Sequence, residues 1–205
     1  MKPPERYPVP ATTHRVEETV KHSRFIATIT PAPCIEAART FIEAIRAEFP
    51  DATHHCWAYA VGAPGTTARS AASDAGEPSG TAGRPMLAVL LGSGLGDVAV
   101  VVTRYFGGVK LGRGGLARAY SGVTRRALSE VPRAERIPRV ALRLTGPHDA
   151  MAAVRHLLAR HGAQVTSESF DADATLHVEL PADAAEALRA DVLATASGRV
   201  RVEPA

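Results

Sequence analysis

Hydrophobic and polar positions change from period two to helical spacing within the first fifty residues. Segments 14–20 (HRVEETV) and 23–30 (SRFIATIT) alternate with period two and contain β-branched residues, which predicts two strands joined near Lys21. Segment 34–49 instead repeats with helical spacing, which predicts an amphipathic helix. Its apolar positions are Ile35, Ala38, Phe41, Ile42, Ile45 and Phe49.

The next eighty residues predict a second run of strands and helices. HCWAYAVG (55–62) and TTARSAAS (66–73) resemble a second pair of strands around a turn. GRPMLAVLLGSGL (83–95) predicts a short helix that begins at a glycine and ends at glycines. DVAVVVTRYF (97–106) is apolar and β-branched, which predicts a buried strand, and residues 114–131 predict a helix.

A change of pattern after residue 130 predicts a second domain. VPRAERIPR (131–139) has two prolines and mixed charge, which is typical of a linker. The strands predicted after it are 140–146, 163–170, 174–180 and 199–203, and the helices are 147–162 and 181–197. This βαββαβ order is that of a ferredoxin-like sandwich. We therefore predict an α+β protein with domains 1–135 and 136–205.

Composition is that of a folded globular protein, with 45% hydrophobic and 22% charged residues. No run of about eighteen apolar residues indicates a membrane helix, and the N-terminus lacks the apolar core of a signal peptide. The two cysteines, Cys34 and Cys56, do not suggest a disulfide framework. These features predict a cytoplasmic protein without a membrane partner, and they leave the oligomeric state open.

Positive charge is concentrated in one stretch of the chain. Between Asp97 and Glu130 lie six cations and no acidic residue: Arg104, Lys110, Arg113, Arg118, Arg125 and Arg126. A patch of one sign attracts anions, nucleic acid among them, although a solvated helix face would give the same pattern. Arg118 and Arg125 lie opposite the apolar stripe of the predicted helix. They are therefore free to meet a partner.

Glycine is concentrated in two loops that each precede a predicted helix, 73–85 (SDAGEPSGTAGRP) and 104–115 (RYFGGVKLGRGG). Unpaired N–H groups at a helix N-terminus bind anions. The candidate anion or nucleic-acid site in the second loop and helix consists of Arg104, Lys110, Arg113, Arg118, Arg125, Gly107, Gly108, Gly112, Gly114 and Gly115. The first loop contributes Asp74, Gly76, Glu77, Ser79, Gly80, Thr81 and Gly83.

Neither loop has the order of a standard nucleotide-binding motif. Tight turns and close helix–sheet packing would explain the glycines equally well. Adjacent His54, His55 and Cys56 point to alternate faces of a strand and have no second ligand pair at zinc spacing. No metal or other cofactor is therefore predicted.

Asp74, Glu77 and Ser79 could serve a phosphoester hydrolase as base and nucleophile, or hold Mg²⁺. No G-x-S-x-G elbow or spaced acid triad supports this hypothesis. We therefore predict no catalytic residues, and the sequence leans away from an enzyme.

Three segments carry a resemblance to a known family: DATHHCWAYAVG (51–62), SDAGEPSGTAGRPML (73–87) and VVVTRYFGGVKLGRGGLARAYSGV (100–123). They resemble the IMPACT/YigZ family over roughly residues 15–130. The resemblance implies a ribosomal-protein domain-2-type β/α fold, shared with RNA-binding and translation proteins. It also implies a ferredoxin-like second domain similar to the last domain of the translocation elongation factor, in agreement with the βαββαβ pattern.

The resemblance implies a role in translation or nucleic-acid binding. Eukaryotic relatives restrain the amino-acid-starvation kinase by competing for its ribosome-associated activator, but they carry an additional N-terminal domain, so this role is not carried over. The family's usual acidic pair before GEP is here Asp74-Ala75, which weakens a metal-dependent hypothesis.

We therefore expect a non-enzymatic, translation-associated protein that binds RNA or a ribosomal partner through its basic, glycine-rich surface. Two alternatives stay open. One is a protein-interaction module that uses the same surface or the helix at 35–49, and the other is the small phosphoester hydrolase.

Overall fold

The computed structural model of this chain describes residues 6–205. Its internal contacts form two compact units. Residues 7–136 are the N-terminal domain, and residues 137–205 together with Arg6 are the C-terminal domain.

The N-terminal domain contains a five-stranded antiparallel sheet with strand order β2-β3-β6-β4-β5 and a separate two-stranded sheet of β1 and β7. The strands are β1 (Tyr7–Pro10), β2 (His14–Val20), β3 (Ser23–Pro31), β4 (His54–Ala60), β5 (Ser70–Ser73), β6 (Val98–Tyr105) and β7 (Arg133–Arg136). The helices are α1 (Ile35–Glu48), α2 (Gly83–Leu91) and α3 (Gly112–Glu130).

Strand β6 lies at the centre of the sheet, and its alternation divides the core into two layers. Val98, Val100 and Val102 belong to the cluster packed under α2 and α3. Ala99 and Val101 belong to the cluster under α1 on the opposite face. Because successive strand residues point to opposite faces, one continuous apolar strand supplies both layers. Each fully buried valine contributes about 1.5–3 kcal/mol.

Helix α2 begins in very close contact with β5. A Cβ on Gly83 would lie 2.8 Å from backbone atoms of Ser73, so only glycine allows this approach. The first glycine loop is thereby held against the edge of the sheet.

The predicted linker 131–139 instead contains a strand. β7 pairs antiparallel with β1, with Tyr7 opposite Arg136. The Tyr7 hydroxyl donates a 2.8 Å hydrogen bond to the buried Asp97, which ties this small sheet to the start of β6. The prolines of β1 conceal it in the sequence, because proline cannot donate to a ladder and is confined to edges.

The C-terminal domain is a four-stranded antiparallel sheet of order β11-β8-β10-β9 covered by two helices. Its elements are β8 (Arg139–Gly146), α4 (His148–Arg160), β9 (Gln164–Phe170), β10 (Ala174–Pro181), a short 3₁₀ helix (Ala182–Ala184), α5 (Ala185–Thr195) and β11 (Arg201–Pro204). Leu144, Val154, Leu176 and Leu188 are fully buried in its core. The predicted two-domain α+β fold, with its ferredoxin-like second domain, is confirmed.

Among the described residues, no helix combines the length and the apolar character needed to cross a bilayer.

Candidate anion-binding site

The two glycine-rich loops line opposite sides of one cleft of about 370 Å³. We call it the interloop cleft. Its lining residues are Glu77, Pro78, Arg104, Phe106, Lys110, Leu111, Gly112, Arg113 and Leu116. Residues of both predicted loops therefore meet at one cleft, together with the end of β6 and the first turns of α3.

Arg104 lies at the base of the cleft and is buried, with its side chain 6% exposed. Its Nη1 donates to Oε1 of Glu77 at 2.6 Å, and its Nη2 donates to the Ser23 hydroxyl at 3.2 Å. The guanidinium carbon lies 5.3 Å from the Phe25 ring centroid and 5.6 Å from that of Phe106. The expectation that Arg104 is an exposed, uncompensated cation is therefore corrected.

Glu77 joins Arg104 to the core of the domain. The same Oε1 accepts a 2.8 Å hydrogen bond from the hydroxyl of Tyr120, which is fully buried on α3. Tyr120 packs edge-on against Phe25, with ring centroids 5.2 Å apart. Burial, with the nearby Cys56 and Glu77, raises the pKa of Tyr120. The base of the cleft is thus fixed by a buried cluster of Glu77, Arg104 and Tyr120.

Asp74 fills the helix N-terminus of the first loop. Its Oδ1 accepts from the N–H groups of Ala82 and Gly83 at 2.8 Å each, and its Oδ2 accepts from Gly80 at 2.7 Å. Although partial burial opposes ionisation, these backbone donors and that of Thr81 hold the pKa of Asp74 below its usual value. The expected anion site at this helix end is therefore occupied by the chain's own carboxylate.

Of the first loop, Glu77 and Pro78 line the cleft, and the remaining residues of this loop are not lining residues. Gly76 and Gly80 have positive φ angles of 90° and 76°. The Thr81 hydroxyl is buried and donates to the Pro78 carbonyl at 2.6 Å. Ser79 is exposed, and its carbonyl accepts a 2.8 Å hydrogen bond from Nη2 of Arg113. Arg113 therefore connects the two loops across the cleft.

The second loop leads into a helix N-terminus that lacks a side-chain cap. The residue before α3 is Leu111, which makes no side-chain capping bond, and among residues 6–205 no side chain accepts from the first N–H groups of the helix. These groups and the positive end of the helix dipole favour an anion. Exposed Lys110 and Arg113 flank this end, and the exposed Gly112 and Gly114 leave its backbone accessible.

Gly107 has a structural role in this loop. A Cβ there would lie 2.0 Å from the backbone carbon of His22, so the loop packs directly on the β2–β3 turn. Gly108 is exposed with a φ of 82°, and Gly115 lies in the first turn of α3, against Leu111.

The six cations do not form one continuous patch. Arg118 lines a separate groove of about 280 Å³ with Lys21 and Glu18. Arg125 lines a third groove of about 500 Å³, between α2 and α3, together with Arg133. Arg126 pairs with Glu130 at 2.8 Å. Since a helix rises about 1.5 Å per residue, Arg125 lies roughly 18 Å along α3 from Arg113.

The His54-His55-Cys56 run is used internally. His54 Nδ1 and His55 Nε2 each lie 3.0 Å from a backbone carbonyl, those of Ala75 and Phe49. The Cys56 thiol donates to the Asp74 carbonyl at 2.9 Å. Within residues 6–205, no group of three or more His, Cys, Asp or Glu side chains is arranged to hold a metal ion.

Sequence reasoning did not select Phe106 or Leu111 for the site. Phe106 is 49% exposed at the mouth of the cleft. The sequence signal that could have identified Phe106 is its position between a buried strand and a pair of glycines. At that position the packing of the strand no longer requires an apolar residue.

Fold and site together define a two-domain α+β protein with a basic, partly apolar cleft in its first domain. Residues 21–128 match the Impact N-terminal domain, and residues 144–199 match a domain of unknown function (DUF1949). The chain belongs to the IMPACT family.

Several relatives are similar over most of their length. The chain is 40% identical over 178 residues to the IMPACT family member YigZ of Escherichia coli strain K12, covering 87% of each chain. It is 36% identical over 197 residues to an IMPACT family member of Haemophilus influenzae, covering 96% of each. A crystal structure of a hypothetical protein superposes with a TM-score of 0.78 at 37% identity, covering 98% of both chains.

Proposed function

We propose that this protein is a non-enzymatic, cytoplasmic, translation-associated protein that binds RNA at the interloop cleft. The observation that supports this most directly is the uncapped N-terminus of α3 between exposed Lys110 and Arg113. The association with translation rests on the family resemblance, which implies a ribosomal-protein-type fold for the first domain.

The charge balance of the cleft favours a phosphate ligand. Glu77 is its acidic lining residue, and this carboxylate is buried against Arg104 and Tyr120. Lys110 and Arg113 are therefore the charged side chains exposed at its rim. Contacts of this kind position a backbone without selecting a sequence.

Two further grooves extend the proposed contact surface. Arg118 and Arg125 are exposed on α3 outside the cleft. A strand bound at Lys110 and Arg113 could follow α3 toward them. Arg104 is excluded from this set of phosphate contacts because of its burial and its pairing with Glu77.

The hydrolase alternative loses support from the contacts of its candidate residues. Both carboxylate oxygens of Asp74 accept backbone N–H bonds, and Glu77 is held in a buried ion pair. Neither group is placed as a free base beside the exposed Ser79. The geometry therefore favours binding over hydrolysis.

The test is a titration of a fluorescently labelled, mixed-sequence RNA by anisotropy at about 50 and 200 mM salt. Because phosphate binding releases counterions, affinity should fall steeply as salt rises. Lys110→Glu combined with Arg113→Glu should remove binding at both salt concentrations. Arg39→Glu reverses an exposed charge on α1, on the opposite face of the sheet, and should leave binding unchanged.

Absence of RNA binding by the unmodified chain would contradict the proposal, and so would binding that survives the double charge reversal. Recovery of a protein partner that resists nuclease treatment and is lost in the same double variant would favour the interaction-module alternative.

A further inference from the structure

The interloop cleft has an apolar side that phosphate binding does not use. Phe106 is 49% exposed there, and Pro78, Leu111 and Leu116 line the same space. Exposed aromatic rings beside cations are the usual platform for unpaired bases, because every base has a π-face that can stack. A cleft of phosphate-binding groups alone would have no need of this wall.

The base of the cleft presents an unsatisfied donor. Nε of Arg104 is buried and has no hydrogen-bond partner among the described residues, while the two Nη groups are used by Glu77 and Ser23. A buried N–H without an acceptor is unfavourable. Arg104 is a lining residue of the cleft, but Nε itself has almost no accessible surface, so a ligand acceptor reaches this donor only when the groups that cover it move apart.

We propose that the interloop cleft holds one unpaired base of single-stranded RNA. The base packs against Phe106, and an acceptor on its edge receives the Nε–H of Arg104. The flanking phosphates contact Lys110, Arg113 and the N-terminal amides of α3. This inference rests on the proposed function and adds the class of RNA, since the bases of a duplex are stacked and hidden from such a cleft.

The dimensions of the cleft fit this ligand. Its volume of about 370 Å³ lies within the range of about 300–1,000 Å³ that is usual for small-molecule sites. The acceptors on the Watson–Crick edge of a base are free only when the base is unpaired. The buried pairing of Arg104 with Glu77 keeps the guanidinium in one orientation.

The experiment compares one RNA of about twelve nucleotides as an unstructured single strand and as a duplex, both by anisotropy. Wild type should bind the strand about tenfold more tightly than the duplex. Phe106→Ala should weaken strand binding about 5- to 150-fold and leave duplex binding unchanged. Phe106→Trp should retain strand binding, which separates stacking from a structural role of the ring.

Val109→Ala is the matched control, because Val109 is 43% exposed in the same loop and is not a lining residue of the cleft. Strand affinity should not change in this variant. A 2-aminopurine placed in the strand should show fluorescence quenching on binding to wild type and none with Phe106→Ala.

Equal affinity for strand and duplex would overturn the inference, as would strand binding that is unaffected by Phe106→Ala. Competition by a free mononucleotide at the same affinity as the strand would overturn it in favour of a nucleotide site. If neither strand nor duplex binds at low salt, the proposed function fails as well. Duplex binding that is lost only on charge reversal at Lys110 and Arg113 would leave that function intact.

Discussion

Arg104 and Glu77 form an ion pair of 2.6 Å that is almost completely withdrawn from solvent, with side chains 6% and 3% exposed. The pair connects the end of the central strand to the first glycine loop, 27 positions earlier in the chain. One contact therefore fixes the relative position of the two walls of the cleft, and Tyr120 connects the same carboxylate to α3.

Removal of the negative charge should destabilise the N-terminal domain strongly. Glu77→Gln leaves the Arg104 guanidinium buried without a counterion, which costs about 3–5 kcal/mol. Urea unfolding followed by tryptophan fluorescence measures this, since the single tryptophan, Trp57, lies in that domain.

Glu17→Gln is the matched control for this measurement. Glu17 accepts two hydrogen bonds from Arg24, but both side chains are nearly half exposed. An exposed pair of this kind contributes only about 0–1 kcal/mol. Similar losses of stability in the two variants would contradict this prediction, because they would show that loss of Glu77 does not leave a buried, uncompensated charge on Arg104.

Asp74 should make the stability of the N-terminal domain depend on pH in the acid range. Its pKa in the folded state is lowered, because backbone N–H groups of Gly80, Ala82, Gly83 and Thr81 outweigh the effect of burial. A lowered pKa contributes stability above the unfolded-state value of about 3.9, and this is lost as pH falls through the folded-state value.

Asp74→Asn should therefore cost about 1–2 kcal/mol at pH 7, and its difference from wild type should shrink as the pH falls below about 4. The midpoints of urea unfolding at pH 7 and at a pH below about 4 test this prediction. Glu18→Gln is the control, because Glu18 is exposed. A difference that is constant with pH would contradict the assigned role of the ionised carboxylate.

The two cysteines should differ sharply in reactivity. Cys34 is exposed before α1, whereas Cys56 is buried and its pKa is raised to about 12 by that burial. Since the thiolate is the reactive form, iodoacetamide at pH 8 should modify Cys34 alone in the folded protein and both cysteines in denaturant. Mass spectrometry with Cys34→Ser as control tests this; rapid native labelling of Cys56 would show that its site opens.

The fold was largely predictable because its strands and helices follow clear periods. The seven-residue alternation of β2 and the helical spacing of α1 are visible without any tertiary information. The pairing of β1 with β7 was not, since Pro8 and Pro10 remove the donors that mark a strand. This small sheet is held to the rest of the domain by contacts such as Tyr7 with Asp97, 90 positions apart.

Composition indicated which loops form the candidate site, but not which charged residues pair with each other inside it. The stretch from Val98 to Ser129 contains no acid, and this suggested a free Arg104. The acid that compensates Arg104 comes from the other loop, and a sequence alone does not show that Glu77 lies within 2.6 Å of it. The same reason hid Asp74 as the cap of α2, because its acceptor role depends on N–H groups up to nine positions away.

Gly107 and Gly122 should respond to substitution by alanine in opposite directions. Gly107→Ala places a Cβ 2.0 Å from the His22 backbone, and relief of this overlap must displace the loop, at about 1–3 kcal/mol. Gly122 lies within α3, and a Cβ added there would have open space around it, so Gly122→Ala should stabilise by about 0.5–1 kcal/mol through helix propensity. The midpoints of urea unfolding measure both changes in stability.

Because Gly107 directly follows Phe106, Gly107→Ala should also weaken RNA binding, whereas Gly122→Ala should not. Stabilisation by both variants would show that the loop does not need its close packing on the β2–β3 turn.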